Sequence, residues 1–182
     1  MNTVVLLGTA HSIQRGENAP TLFRAVLRGE CEKYNVKAMA EEIDNDKPTI
    51  ASILAKTLHV GHLFADPDLH ERAKRGIQSD CRWDIIRGYG NRYPEIGMWP
   101  EPPSEENLPE EVWREYDRRT KASYGMREQV WLEKIVQYDQ WPLLFICGAN
   151  HFRGFFKLLR NSEFHVIESH EDWAPLTQGQ SN

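Results

Sequence analysis

At 182 residues the chain has the length of one domain, and such a length buries roughly 70% of the surface its unfolded form exposes. Apolar residues make up 40% and charged residues 27%, as in ordinary globular proteins. A net charge of −5 with a pI near 5.8 argues against nucleic acid or an anionic membrane as the main partner.

Val4-Val5-Leu6-Leu7 is a continuous apolar run closed by Gly8, the pattern of a strand buried on both faces of a parallel sheet. It lacks a basic leader segment and is too short for a signal peptide, so it reads as a strand. Thr21–Tyr34 places Leu22, Ala25, Val26 and Leu27 at near-helical spacing. Val36–Ala40 gives a second strand that ends in Glu41-Glu42. Thr49–Leu58 is a helix with Pro48 near its start, where proline is tolerated. His62–Ala65 forms a third strand, running into Asp66-Pro67-Asp68. Strand and helix in alternation predict a parallel sheet.

The stretch from Ser79 to Pro109 breaks this rhythm with Trp83, Tyr89, Tyr93 and Trp99 among prolines and glycines. It reads as an ordered insertion that can serve as a lid. Glu110–Tyr138 returns to helix, with a break expected near Gly125. Leu143–Cys147 is the most apolar strand, closed by Gly148-Ala149-Asn150-His151. Phe152–Leu159 is a helix, Phe164–Ile167 the last strand, and the tail from Ala174 is polar and loose. The predicted class is α/β, a mostly parallel central sheet flanked by helices. It forms one domain over residues 1–173, with the insertion at about 79–109 and the tail at 174–182. No window approaches the ~18 apolar residues of a membrane span. The three cysteines, Cys31, Cys81 and Cys147, contain no CxxC pair. An odd count without a metal-type spacing suits a reducing cytosol, and a cytoplasmic location is expected.

The most informative pattern occurs twice. Gly8-Thr9-Ala10-His11 follows the first strand and Gly148-Ala149-Asn150-His151 the late one. Each glycine permits a sharp turn or a close approach. Each histidine then stands beyond a strand's carboxyl end, where ligands bind in open α/β sheets. Two imidazoles there can ligate a metal or share acid and base roles. Glu41 and Glu42 lie at another strand's carboxyl end, and alternation sends only one of them toward the same crevice. Which one, alternation does not say. Asp66 is either a ligand-facing carboxylate or the N-cap of a helix opening at Pro67.

Arg127 and Trp131 are four apart on one helix face. The arginine fork can hold a carboxylate or phosphate. Glu128 can ligate a metal or pair with a nearby base, and the plainer alternative is an amphipathic helix with Val130, Trp131 and Ile135 inward. His59, His62, His70, His165 and His170 read as surface or core residues. Cys147 reads as a buried small hydrophobe beside Gly148.

Taken together, Gly8-x-x-His11, Glu41-Glu42, Arg127-x-x-x-Trp131 and Gly148-x-x-His151 resemble the superfamily of TraB/TIKI proteins, erythromycin esterases and ChaN-like proteins. Ile146–Val166 is similar to that group's closing strand, GxxH turn, helix and strand. The likeness covers both ends of the chain but not Ser79–Pro109. It implies a mixed α/β fold with the histidines and a glutamate gathered in one cleft. It also implies metal-dependent proteolysis, hydrolysis by a histidine-activated water, or haem binding, according to the branch. The chain is shorter than typical enzymes of the group, and Trp131 stands where a methionine is common there.

The leading expectation is a hydrolase acting on an ester, amide or phosphoester of a small molecule or peptide. His11, His151 and Glu41 or Glu42 activate the water, and Arg127 neutralises the developing oxyanion. Gly8, Gly148, Asn150, Trp131 and Asp66 are the expected substrate contacts. A divalent metal, manganese, zinc or iron, would sit on His11, His151, Glu42 and Glu128. The competing expectation is a protein that binds haem, a metal or a nucleotide-like ligand without turning it over. A third is a partner-binding module whose Trp-rich insertion makes the contact. A homo-oligomer is compatible with either of the first two.

Overall fold

Val4, Val5, Leu6, Leu7 and Thr9 have no exposed surface at all, because β1 (Thr3–Thr9) runs through the middle of a sheet covered on both faces. The structure, a computed structural model, describes residues 2–43, 47–78, 88 and 109–175. These fall into two compact units, Met1–Asp68 with Glu128–Asn182, and Leu69–Arg127.

The first unit holds the sheet. After β1 come α1 (His11–Gln14), α2 (Pro20–Tyr34), β2 (Ala38–Glu41), α3 (Ile50–Leu58) and β3 (Gly61–Phe64). The chain returns to it through the last part of α5 (Glu110–Tyr138), then β4 (Leu143–Gly148), α6 (Ala149–Asn161) and β5 (His165–Trp173). The strand order is β3-β2-β4-β1-β5, and all neighbours are parallel. This is the expected α/β class.

Period-two alternation sorts the strand side chains into two cores. Val5, Leu7, Met39, Leu144 and Ile146 face α2 and α3, meeting Phe23, Leu27, Ala51 and Leu54. Val4, Leu6, Ala38, Ala40, Leu143, Phe145 and Cys147 face α6 and the end of α5, meeting Trp131, Ile135, Phe152, Phe155 and Leu159. Right-handed crossovers explain the split. The β1-to-β2 and β2-to-β3 connections run one way along the sheet, and the β4-to-β5 connection runs the other way, so their helices cover opposite faces.

Several local readings need correction. Gly125 does not break the long helix, which runs unbroken from Glu110 to Tyr138. One glycine costs a helix only about 1 kcal/mol relative to alanine, and the surrounding helix formers outweigh it. Pro48 precedes the helix, and Thr49 is the N-cap of α3 in a reciprocal capping box with Ser52. β5 continues six residues past Ile167, to Trp173. It is an edge strand with a charged, exposed outer half, so hydropathy understates its length.

The second unit contains α4 (Leu69–Arg75) and the first part of α5, in which Val112 and Ser123 are buried. Arg118 and Arg119 both hydrogen-bond Glu115, and together they hold its carboxyl down to about 2. Of the insertion expected at 79–109 only residues 88 and 109 are described; its four aromatic rings and Cys81 lie outside the described residues, as does the tail beyond 175. Among the described residues no helix is long and apolar enough to cross a membrane.

Candidate functional site

The crossovers leave the adjacent strands β1 and β4 in opposite directions, which makes their carboxyl ends the topological switch point of the sheet. Ligands of open α/β folds bind in the crevice formed there. The two histidines flank it. His11 is the first residue of α1, directly after β1, and His151 lies in the first turn of α6, directly after β4. The second GxxH is therefore the start of a helix, with Gly148 as its N-cap, and α6 opens at Ala149 three residues earlier than the hydropathy pattern indicates.

Glu42 joins the two histidines. Its Oε1 lies 3.3 Å from His151 Nε2 and 3.5 Å from His11 Nε2. Its Oε2 accepts the backbone N–H of Gly148 at 2.6 Å. The Glu42 side chain is 1% exposed and that of His151 4%, whereas His11 is 52% exposed and forms the outer lip. On its other nitrogen, His151 Nδ1 is 2.9 Å from Glu128 Oε1. One buried imidazole thus stands between two carboxylates, an arrangement that fixes the orientation of the ring. Trp131 packs against the same ring, centroids 4.8 Å apart, and against Phe145 and Phe155.

Two glycines leave room for these carboxylates. A Cβ on Gly148 would lie 3.2 Å from Glu42 Oε2 and 3.4 Å from His11 Nε2. A Cβ on Gly154 would lie 2.7 Å from both carboxylate oxygens of Glu128. Gly8 has a different reason: its Cβ would fall 1.9 Å from the Glu171 carbonyl oxygen, so it admits the β5 backbone.

Adjacent acids separate onto opposite faces. Glu41 takes the α3 side, fully buried, where its Oε1 accepts from the Thr49 hydroxyl and pairs with His62 Nε2 at 2.7 Å. It is not brought to the histidine pair. His62, read from sequence as a bland residue, is thus half of a second imidazole–carboxylate contact. Its signal was invisible in the sequence because the partners are 21 residues apart.

Asp66 accepts from the Trp131 indole N–H at 3.0 Å, and α4 begins only at Leu69, so Asp66 does not cap a helix at Pro67. Arg127 is buried and belongs to the second unit. Asn150 is exposed in the first turn of α6. His165 and His170 are exposed on β5, and His59 ends α3 in the left-handed conformation, φ 55°. Burial pushes the Cys147 thiol well above its ordinary range, and the charges of Glu42 and Glu128 add to the effect. A protonated, fully buried thiol is no nucleophile.

No motif in the sequence marks Gln14. It has no exposed surface, and among the described residues neither its amide oxygen nor its amide nitrogen has a hydrogen-bond partner. Only its position three residues after His11 could have drawn attention to it.

Among the described residues, no group of three or more His, Cys, Asp or Glu side chains is placed to hold a metal ion. Glu128 stands on the far nitrogen of His151, and one oxygen of Glu42 is taken by the Gly148 amide. What converges is an imidazole pair about one buried carboxylate, a set suited to moving a proton. No family model matches the chain, and no curated protein or solved structure matches it either.

Proposed function

We propose that the crevice above β1 and β4 is a hydrolytic site in which His151 acts as general base and general acid. The observation that carries this reading is the setting of His151: buried, with Nδ1 2.9 Å from Glu128 Oε1 and Nε2 3.3 Å from Glu42 Oε1. Glu128 accepts the Nδ1 proton, which leaves the Nε2 lone pair for the crevice. Nε2 takes a proton from water as the oxygen attacks the substrate's acyl or phosphoryl centre, then gives it to the leaving group. The imidazolium formed in between is flanked by the two carboxylates, which stabilise it as the triad aspartate does in serine hydrolases. His11 forms the exposed lip and orients the water or the leaving group.

Every group in this step belongs to the chain itself. Kinship with the TraB/TIKI, erythromycin esterase and ChaN-like group remains part of the proposal. It rests on the two GxxH motifs and the glutamate between them in the chain.

The test is a panel of ester, amide and phosphoester substrates, with folded His11→Ala and His151→Ala beside the wild type. Positioned acid–base catalysis typically contributes 10²–10⁴-fold, so turnover should fall by roughly that factor in His151→Ala. A folded His151→Ala variant with wild-type turnover would overturn the assignment. Tight ligand binding without turnover of any panel member would replace it with a binding protein.

A further inference from the structure

We propose that Asp66 is a positioning residue for His151, acting through Trp131 and α5. This rests on the hydrolytic reading and adds to it the clamp that sets the two flanking carboxylates relative to each other. Those carboxylates come from different elements: Glu42 directly follows β2, and Glu128 lies on α5. Asp66 joins the two elements. Its chain neighbour Ala65 donates its backbone N–H to the Glu41 carbonyl at 2.9 Å, which ties this loop to the end of β2. Asp66 Oδ1 accepts the Trp131 indole N–H at 3.0 Å, and the Asp66 carbonyl accepts from Lys134 Nζ at 3.1 Å. These two bonds tie the same loop to α5.

The part of α5 gripped in this way is the part that meets His151. Glu128, Trp131 and Lys134 follow one another at three-residue spacing, so each shares a side of the helix with the next. Glu128 Oε1 is 2.9 Å from His151 Nδ1, and the Trp131 ring stands 4.8 Å from the imidazole between centroids, inclined at 63°. One indole therefore carries the Asp66 bond at its N–H and the His151 contact at its ring. Packing against α6 is equally close. Glu128 fills the gap left by Gly154, where a Cβ would come within 2.7 Å of both its oxygens. In so dense a setting a slide or rotation of α5 is passed on to the imidazole.

Proton transfer is sensitive to such movements. A general base works over hydrogen-bond distances of about 2.6–3.2 Å, and a misplacement of about 1 Å costs on the order of a hundredfold. Glu42 is fixed by backbone, through the Gly148 amide and the Ile146 carbonyl. Glu128 is carried by a helix, and the Asp66 clamp refers that helix to the strand end from which Glu42 projects. Without the clamp the sheet keeps its register, while the two carboxylates lose their common reference.

The experiment compares Asp66→Ala, Asp66→Asn and Lys134→Met with the wild type, each in the full chain. Leu54→Ala, a truncation in the opposite core, controls for loss of stability alone. The readouts are turnover per folded molecule and the imidazole ¹H–¹⁵N signals of His151. Asp66→Ala is expected to lower turnover roughly tenfold to a hundredfold and to shift the His151 signals, and Leu54→Ala to do neither. Asp66→Asn, whose side-chain oxygen still accepts the indole N–H, is expected to recover most of both. An Asp66→Ala variant that melts lower but keeps wild-type turnover and His151 signals overturns the proposal, since Asp66 would then serve stability alone. So does a Leu54→Ala variant that matches Asp66→Ala in both readouts. If Asp66→Ala does not fold, Lys134→Met decides, because it removes the second bond of the clamp at the edge of the helix. It is expected to shift the His151 signals, and unchanged signals overturn the proposal. The imidazole readout needs no substrate, so the clamp can fail while His151-dependent hydrolysis stands, and can hold if the substrate panel shows no turnover.

Discussion

Glu42 Oε2 accepts the backbone N–H of Gly148 at 2.6 Å, and this bond ties the end of β2 to the N-cap of α6. A second bond reinforces it, from the Glu42 backbone N–H to the Ile146 carbonyl at 2.9 Å. With one oxygen anchored, the other is left facing both imidazoles. The position of Glu42 is therefore set by backbone.

Gly148→Ala tests that geometry. Gly148 has φ −61° and ψ 140°, which alanine adopts freely, so only the Cβ contacts with Glu42 and His11 are at issue. Stability should change by less than about 1 kcal/mol, as for other unstrained substitutions. Displacing the carboxylate by a few tenths of an ångström should lower turnover by roughly tenfold to a hundredfold. Thermal melting and the hydrolysis assay together check both halves, and unchanged turnover would count against a working Glu42.

Gly154→Ala reports on the other side of His151. Within a helix this change ordinarily stabilises by about 1 kcal/mol. Here the new Cβ would meet both oxygens of Glu128 at 2.7 Å, so the carboxylate must swing off His151 Nδ1. The stabilisation should be absent in urea unfolding, and turnover should fall, since Glu128 no longer orients His151. A variant that is both more stable and fully active would show that Glu128 does not orient His151.

Trp131 joins the core to the site. It is fully buried and donates to Asp66 at 3.0 Å. Trp131→Phe keeps an aromatic ring but loses that bond, and should destabilise by about 1–3 kcal/mol. Trp131→Ala also opens a cavity beside His151 and should cost about 3–5 kcal/mol. Urea unfolding measures both, and a loss below about 0.5 kcal/mol for Phe would deny the Asp66 bond any structural weight.

The sequence made the doubly buried strands plain, because Val4–Leu7 and Leu143–Cys147 are apolar at every position and lie in the sheet interior. β5 is legible in the sequence only over His165, Val166 and Ile167; beyond them its outer half is charged and exposed, since it pairs on one edge only. The GxxH histidines could be placed beyond strand ends by chain order alone. Glu42 could not be told from Glu41, because the difference lies in which neighbouring elements each side chain meets, Gly148 for one and Thr49 with His62 for the other. Glu128 and His151 are likewise 23 residues apart and meet only through helix packing.

The described cysteines should be inert in the folded protein. Burial chiefly raises the Cys31 thiol from its ordinary 9.0 to about 11, and raises Cys147 well above 9.0. At neutral pH neither forms a thiolate, so iodoacetamide should leave both unmodified by peptide mass spectrometry unless the chain is unfolded. The sign of the linkage follows. Below pH 9 both the folded and unfolded states keep these protons. As pH rises from about 9 through about 11 the unfolded chain loses its protons first, and the stability contributed by Cys31 is lost.

The most direct measurement of the central claim is a long-range ¹H–¹⁵N correlation spectrum of the histidine imidazoles, recorded at a pH where the His151 ring is neutral. Orientation by Glu128 predicts that the remaining proton of His151 sits on Nδ1, with Nε2 unprotonated and facing Glu42. A neutral His151 protonated on Nε2 would contradict the account, because no lone pair would then face the crevice to receive a proton from water.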